Sequence, residues 1–198
     1  MRSAETESSS ALRGAAAGAV GGVVGSAAMV LFNHLLAATG FGEDDTGIHH
    51  QHHRDDAKPN DTDGTIADEP ASRRAASAAA EAIAGRPLTE REKNIAGPLA
   101  HYAFGAAAGA IYGAAAARTP RITAGAGAPY GAAVFLTAGE VGVPLAGLAR
   151  KPTAYPPERH IAALATHLVF GLTLEAVRRL LMRHTDRRAP YDLAALGV

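Results

Sequence analysis

Apolar and polar positions along this chain are sorted into blocks. From Gly14 to Gly42 run 29 residues without Asp, Glu, Lys or Arg, and a second charge-free block of 24 residues separates Lys93 from Arg118. A third block, Ile122 to Ala149, carries Glu140 as its one charge. The fourth, His160 to Leu174, has 15 residues before Glu175, and Ala176, Val177, Leu180, Leu181 and Met182 continue its apolar face. At about 1.5 Å per residue, the first three blocks are long enough as helices to cross a hydrocarbon layer of about 30 Å; the fourth is so only if its end lies in the interface. A soluble helix shows a polar stripe opposite its apolar one, and the first two blocks have none. Four such helices in one short chain leave too little sequence to cover their outer faces, so lipid is their expected surrounding. The pattern predicts an all-α fold: an integral membrane four-helix bundle with spans at about 14–40, 94–117, 124–149 and 158–182.

Between the first two spans the composition changes. Residues 43–69 hold nine acidic side chains, two basic ones, four His and turn formers such as Pro59, Asn60 and Gly64, which predicts a flexible, water-exposed, His/Asp-rich loop over 43–70. Residues 72–84 have strong helix propensity but few apolar anchors beyond Ile83, and read as a short surface helix ending at Gly85. Thr89 followed by Glu92 has capping-box spacing and starts the next span. Residues 118–123 and 150–157 are short links, and 184–198 is a polar tail.

Composition sharpens the picture at two points. Of 198 residues, 47 are Ala and 22 are Gly. Ala and Gly drive insertion weakly, so a soluble Ala-rich helical protein is the competing reading. A cleaved signal peptide fits the first block poorly, because its apolar stretch is too long and Glu5 and Glu7 interrupt a basic leader. With 19 basic and 19 acidic residues the net charge is zero, which argues against a nucleic-acid partner. The absence of Cys excludes disulfides, thiolate zinc sites, iron–sulfur clusters and cysteine nucleophiles.

Small residues recur at helical spacing. Gly97, His101, Gly105, Gly109 and Gly113 fall every four residues, as do Gly14, Gly18 and Gly22; Gly21 with Gly25 and Gly127 with Gly131 repeat the interval. In lipid, helices associate through close backbone approach, so these stripes are expected packing seams, open also to a second copy or another membrane protein. Chance spacing in a chain this rich in Ala and Gly is the bland alternative.

Ionisable groups inside the spans are expensive unless they face a partner or water. His34, His101, Glu140, His167 and Glu175 are therefore expected to point inward. If the last three spans share one bundle, Glu140 falls between His101 and His167, a group suited to proton relay or metal binding. The alternative is that each His bonds a backbone carbonyl or hydroxyl and fixes helix registry. Glu175 stands i,i+3 and i,i+4 before Arg178 and Arg179, so local ion pairing near the interface accounts for it. His49, His50, His52 and His53, flanked by carboxylates, make a weak metal site at most, since adjacent His residues do not readily share one preorganised ion. No phosphate-loop, HExxH or GxSxG motif occurs, and Gly125-x-Gly127 lacks the third glycine of a dinucleotide fingerprint. No enzyme and no cofactor is expected.

From Leu99 to Arg183 the chain resembles the YagU-like family of uncharacterised bacterial inner-membrane proteins. His101 with Phe104 and Tyr112 looks like that family's His-x-x-Phe helix. Val143-Pro144-Leu145 with Gly147-Leu148 looks like its helix end, and His167-Leu168-Val169-Phe170 with Glu175 and Arg178-Arg179 looks like its final helix. The third helix departs from the family at Glu140, where a His is usual, and the His-rich loop has no counterpart. The resemblance implies a small multi-span membrane protein without established catalytic activity.

Four spans put both termini on one side together with the 118–123 link, and that side carries Arg at 2, 13, 118, 121, 178, 179, 183, 187 and 188. The other side has ten basic residues, seven of them in the long 43–93 segment, where positive charge counts less. Both termini are expected in the cytoplasm of a bacterial inner membrane. The function expected is that of a helix-packing or accessory protein of the cell envelope; the alternative is proton or cation conduction through the His/Glu cluster.

Overall fold

The computed structural model describes residues 2–39 and 69–187. Among these, the ordered elements are all helical. They are α1 (Arg2–Ala38), α2 (Ala71–Ala84), α3 (Glu90–Arg118), a 3₁₀ stretch (Pro120–Gly127), α4 (Ala128–Val134), a π-helical stretch (Phe135–Gly142), α5 (Val143–Leu145), a 3₁₀ turn (Pro152–Ala154) and α6 (Pro157–Arg187). The residues joining α4, the π stretch and α5 keep helical backbone angles, so 128–145 is one rod.

Local chemistry sets the boundaries. Thr89 caps α3: its hydroxyl accepts the Glu92 N–H, and the Glu92 carboxylate accepts the Thr89 N–H at 2.8 Å. This satisfies donors that a helix N-terminus otherwise leaves open. Gly85, at φ 68°, ends α2 in the left-handed conformation. Gly147 at φ 70° ends the 128–145 rod, with Leu148 N–H bonded to the Val143 carbonyl at 3.0 Å.

The third helix is shorter than the expected 124–149 span. Gly125, Ala126 and Gly127 take φ values of 70°, 54° and 88°, and a helix cannot pass through consecutive left-handed residues. The G-x-G that failed as a nucleotide motif is thus a turn device. Ala126, which carries a Cβ there, is locally strained. The other helices overrun their expected limits: α1 starts at Arg2, and α6 runs from Pro157 to Arg187. Glu69 and Pro70, expected within the flexible loop, are held in place, with Glu69 bridging to Lys93 at 3.2 Å and Arg73 at 3.5 Å. The rest of that loop, with His49, His50, His52 and His53, and the tail beyond Arg187 lie outside the described residues.

Helix α1 is central. It packs antiparallel against α3 on one side and α6 on the other, and α6 in turn packs antiparallel on 127–134. Tyr130 closes the ring back to α3: its hydroxyl donates to the Ala108 carbonyl at 2.7 Å, and its ring lies 4.7 Å from that of Tyr112. Glycine sets each contact. A Cβ on Gly14, Gly18 or Gly22 would collide with the backbone of Gly113, Gly109 or Gly105. Gly21 and Gly25 lie against Leu174 and Phe170 of α6, and Gly127 and Gly131 lie against Gly171 and His167. All three seams are therefore occupied within one chain. Gly97 departs from its stripe, since it accommodates Arg73 of α2.

The interior combines these small residues with a compact cluster of Ala108, Tyr112, Phe170 and Leu174, flanked by Met29 and Tyr130. Large apolar side chains point the other way: Leu31, Leu35, Leu99, Phe104, Ile111, Ile161, Leu172 and Leu180 are exposed. Two helical segments, Glu7–Ala38 and Pro157–His184, are long and apolar enough to cross a membrane.

Candidate functional site

Polar side chains inside the bundle gather at two levels, one toward each end. At the end where α1 finishes and α6 begins, α6 contributes His160 and His167, α3 contributes His101, and the π stretch contributes Glu140. His160 Nδ1 lies 2.8 Å from a Glu140 carboxylate oxygen, and its Nε2 lies 3.1 Å from the Pro152 carbonyl. One ring thus ties the π stretch, the 3₁₀ turn and the start of α6 together. His160 opens the fourth apolar block and is not among the residues expected to point inward; its pairing with Glu140, twenty residues earlier, depends on how the link between the two helices folds.

His167 is two turns deeper into the bundle on α6. Its Nδ1 lies 2.8 Å from the Ala163 carbonyl, and its ring centroid is 5.6 Å from Phe135. It lies within electrostatic reach of both His101 and Glu140. The fold therefore brings the three expected residues into one neighbourhood, but the direct partner of Glu140 is His160. Among the described residues, no three His, Cys, Asp or Glu side chains stand close enough together to hold a metal ion.

His34 corrects the expectation of an inward ring. It is exposed near the end of α1, and its Nδ1 lies 2.7 Å from the Val30 carbonyl, so its own helix supplies the partner. The polar tie that this helix makes to α6 is instead the half-buried Asn33, whose side-chain oxygen accepts from the Thr166 hydroxyl at 2.7 Å. Thr166 and Ser26 are almost fully buried. Neither announces itself in a sequence where Ser and Thr are also common in loops.

The second polar level lies toward the opposite end. Glu175 is completely buried, pointing inward as expected of an ionisable group in a span. Its pairing is the expected one: Arg178 donates to both carboxylate oxygens at 2.6 and 2.9 Å, and Arg179 Nε donates at 2.5 Å. Arg179 also donates to the Thr123 carbonyl at 3.1 Å, which fixes the 3₁₀ stretch against α6. Burial follows from Gly127, which lets the chain approach so closely that a Cβ there would meet the Glu175 side chain. A buried carboxylate is tolerated when its lone pairs are taken by guanidinium groups.

Between the two levels stands the apolar cluster of Tyr112, Phe170 and Leu174, each at most 2 % exposed. Thus the bundle has a His/Glu group at one end, an Arg/Glu group at the other and a packed layer between them.

Residues 83–176 match the family model of a protein of unknown function, DUF1440. The matched stretch spans both polar levels as far as Glu175 and leaves out α1, Arg178 and Arg179. No curated protein and no solved structure matches the chain.

Outside the bundle, a charged cluster holds α2 to the start of α3. Arg86 donates to both Glu92 oxygens at 2.9 and 2.6 Å, and Arg73 donates to Glu90 at 2.8 Å. The hydrogen bonds from Arg86, and then those from Thr89, hold the Glu92 carboxyl down at about 2. This surface cluster is a clamp on the entry to α3.

Proposed function

We propose that the chain is a multi-pass protein of a bacterial inner membrane, its termini in the cytoplasm, serving as a non-conducting accessory or scaffold protein of the cell envelope. The membrane reading is supported by the distribution of side-chain size. Gly, Ala and Ser26 fill the helix contacts around the one cluster of Tyr112, Phe170 and Leu174, and many Leu, Ile and Val side chains, with Phe104, are exposed, where water would make a patch of this extent costly. In this reading α3 and the rod 128–145 complete a four-helix membrane bundle as Ala-rich spans. The resemblance to YagU-like proteins falls on the same part of the chain as the DUF1440 match and fits this assignment.

The observation that carries the non-conducting reading is the apolar layer between the two polar levels. A proton entering at Glu140 and His160 can advance to His167, but the next ionisable group along α6 toward the other end, Glu175, is eight residues on, roughly 12 Å along the helix, with the Thr173 hydroxyl as the one polar side chain of α6 between them. Phe170, Leu174 and Tyr112 fill that interval. The polar residues then serve registry: Glu140–His160 and Asn33–Thr166 at one end, Glu175–Arg178–Arg179 at the other. Liposomes containing the purified chain, given an inward proton gradient, are expected to acidify at the rate of empty liposomes. Faster acidification that Glu140→Gln removes would establish proton conduction instead.

A further inference from the structure

The outer face of α6, near its C-terminal end, carries a feature that neither the glycine seams nor the registry bonds use. An open cavity of about 390 Å³ is lined there by Ala126 of the 3₁₀ stretch and, along α6, by Leu172, Glu175, Ala176, Arg179, Leu180 and Arg183. The α6 positions share one helical face. Their chemistry is graded along the axis: Leu172 and Ala176 lie toward the middle of the bundle, Leu180 follows, and Arg179 and Arg183 lie toward the helix end. From Leu172 to Arg183 is roughly 16 Å of helix, about the depth of one bilayer leaflet.

The charge balance favours an anion at the Arg end. Both Glu175 oxygens are taken by Arg178 and Arg179, so the wall keeps an excess of positive charge once Arg183 is counted. The Arg179 side chain is 44 % exposed despite its bonds to Glu175 and Thr123. A second cavity of about 320 Å³, between α3 and α4, is lined by residues such as Phe104, Ile111, Tyr130 and Val134 and by no charged group. Acyl chains fit both cavities; only the first can select a headgroup.

We propose that this groove binds one anionic diacyl phospholipid, its phosphate on Arg179 and Arg183 and one acyl chain along Leu180, Ala176 and Leu172. The inference rests on the membrane reading above. It is tested on the full chain, purified in a non-ionic detergent, by native mass spectrometry with dioleoyl phosphatidylglycerol, dioleoyl phosphatidylcholine or inorganic phosphate. One phosphatidylglycerol is expected to be retained, phosphatidylcholine to bind roughly tenfold more weakly, and inorganic phosphate not to bind. Arg183→Gln, which leaves the Glu175 pairs intact, is expected to weaken phosphatidylglycerol binding roughly tenfold. Ala176→Trp, at an exposed position, is expected to fill the groove and abolish retention. Equal binding of the two lipids, or parental binding by both variants, overturns the proposal; if one variant loses its helical circular dichroism, the other and the lipid comparison decide. Alkaline carbonate washing separates the two readings. A chain retained in washed membranes but without lipid preference loses only the lipid site, whereas a chain released by the wash loses the membrane assignment.

Discussion

Gly18 and Gly109 show what a single side chain does in this molecule. A methyl group on either would meet backbone across the α1–α3 contact, where no rotamer change relieves it. Overpacking of that kind costs about 1–3 kcal/mol, so Gly109→Ala is expected to lower the unfolding midpoint in detergent. Gly139→Ala, whose Cβ would make only an ordinary contact with Phe135, is expected to leave it nearly unchanged; equal losses would show that the seam is not the cause. Glu175 is the electrostatic counterpart. Glu175→Leu leaves Arg178, whose side chain is 11 % exposed, without its carboxylate. Removing one member of a buried pair costs about 3 kcal/mol or more, and the same denaturation measurement is expected to register it as a larger loss than that of Gly109→Ala. These two residue types were legible to different degrees. The four-residue glycine interval was visible in the chain, and so was the i,i+3/i,i+4 pairing of Glu175. An inward Glu175 was expected as well, but not the contact that completes its burial, the close approach of Gly127, far away in sequence, to α6.

Helix α3 begins where its sequence says it should, and its start carries a pH dependence. The Glu92 carboxyl lies at about 2 against an ordinary value of 4.5, so the folded state favours the ionised form. The stabilisation is complete above about 4.5 and is lost as the pH falls toward 2. Amide exchange at residues 89–93 is expected to accelerate through that interval, and Glu92→Gln is expected to flatten the response; an unaltered profile in the variant would assign the effect elsewhere. The rod 128–145 behaves differently. Its start is fixed by Gly127 at φ 88°, packed on the Gly171 carbonyl, and Gly127→Ala combines backbone strain with a clash. That variant is expected to loosen the α4–α6 contact while sparing the α1–α3 seam, as resolved by faster exchange at residues 128–134 than at 105–113. Uniform acceleration would mean that the bundle opens as one unit. Charge-free length predicted a longer third helix because Gly and Ala are silent about φ, and the positive angles are fixed by the close approach of the turn to α6.

At the scale of the whole molecule, glycine contacts hold the helices together and many large apolar side chains, among them Leu, Ile and Val, are exposed. Gly and Ala line the helix contacts around one compact cluster of Tyr112, Phe170 and Leu174; in the proposed membrane setting, tight backbone contact joins the helices more than apolar burial does. Because the seams are consumed within one chain, self-association would need another surface. Chemical cross-linking in native membranes is accordingly expected to give mainly monomer, and Gly109→Ala is expected to reduce the amount of folded protein without altering the ratio of monomer to dimer. A selective loss of dimer would place the seam between chains.

The sequence by itself determined the approximate place of each long helix, though not the bounds of 128–145, together with which helix faces are small and that α3 starts from a cap at Thr89. Those properties are local: charge-free length, four-residue spacing and a capping pair all act within a few turns. The tertiary structure decided which seam meets which, that Glu140 bonds His160, that His34 turns outward, and that the Glu140 and Glu175 levels are separated by Tyr112, Phe170 and Leu174. Each of these depends on the relative axial offset of helices distant in sequence, and that offset is set by the fit of one backbone against another.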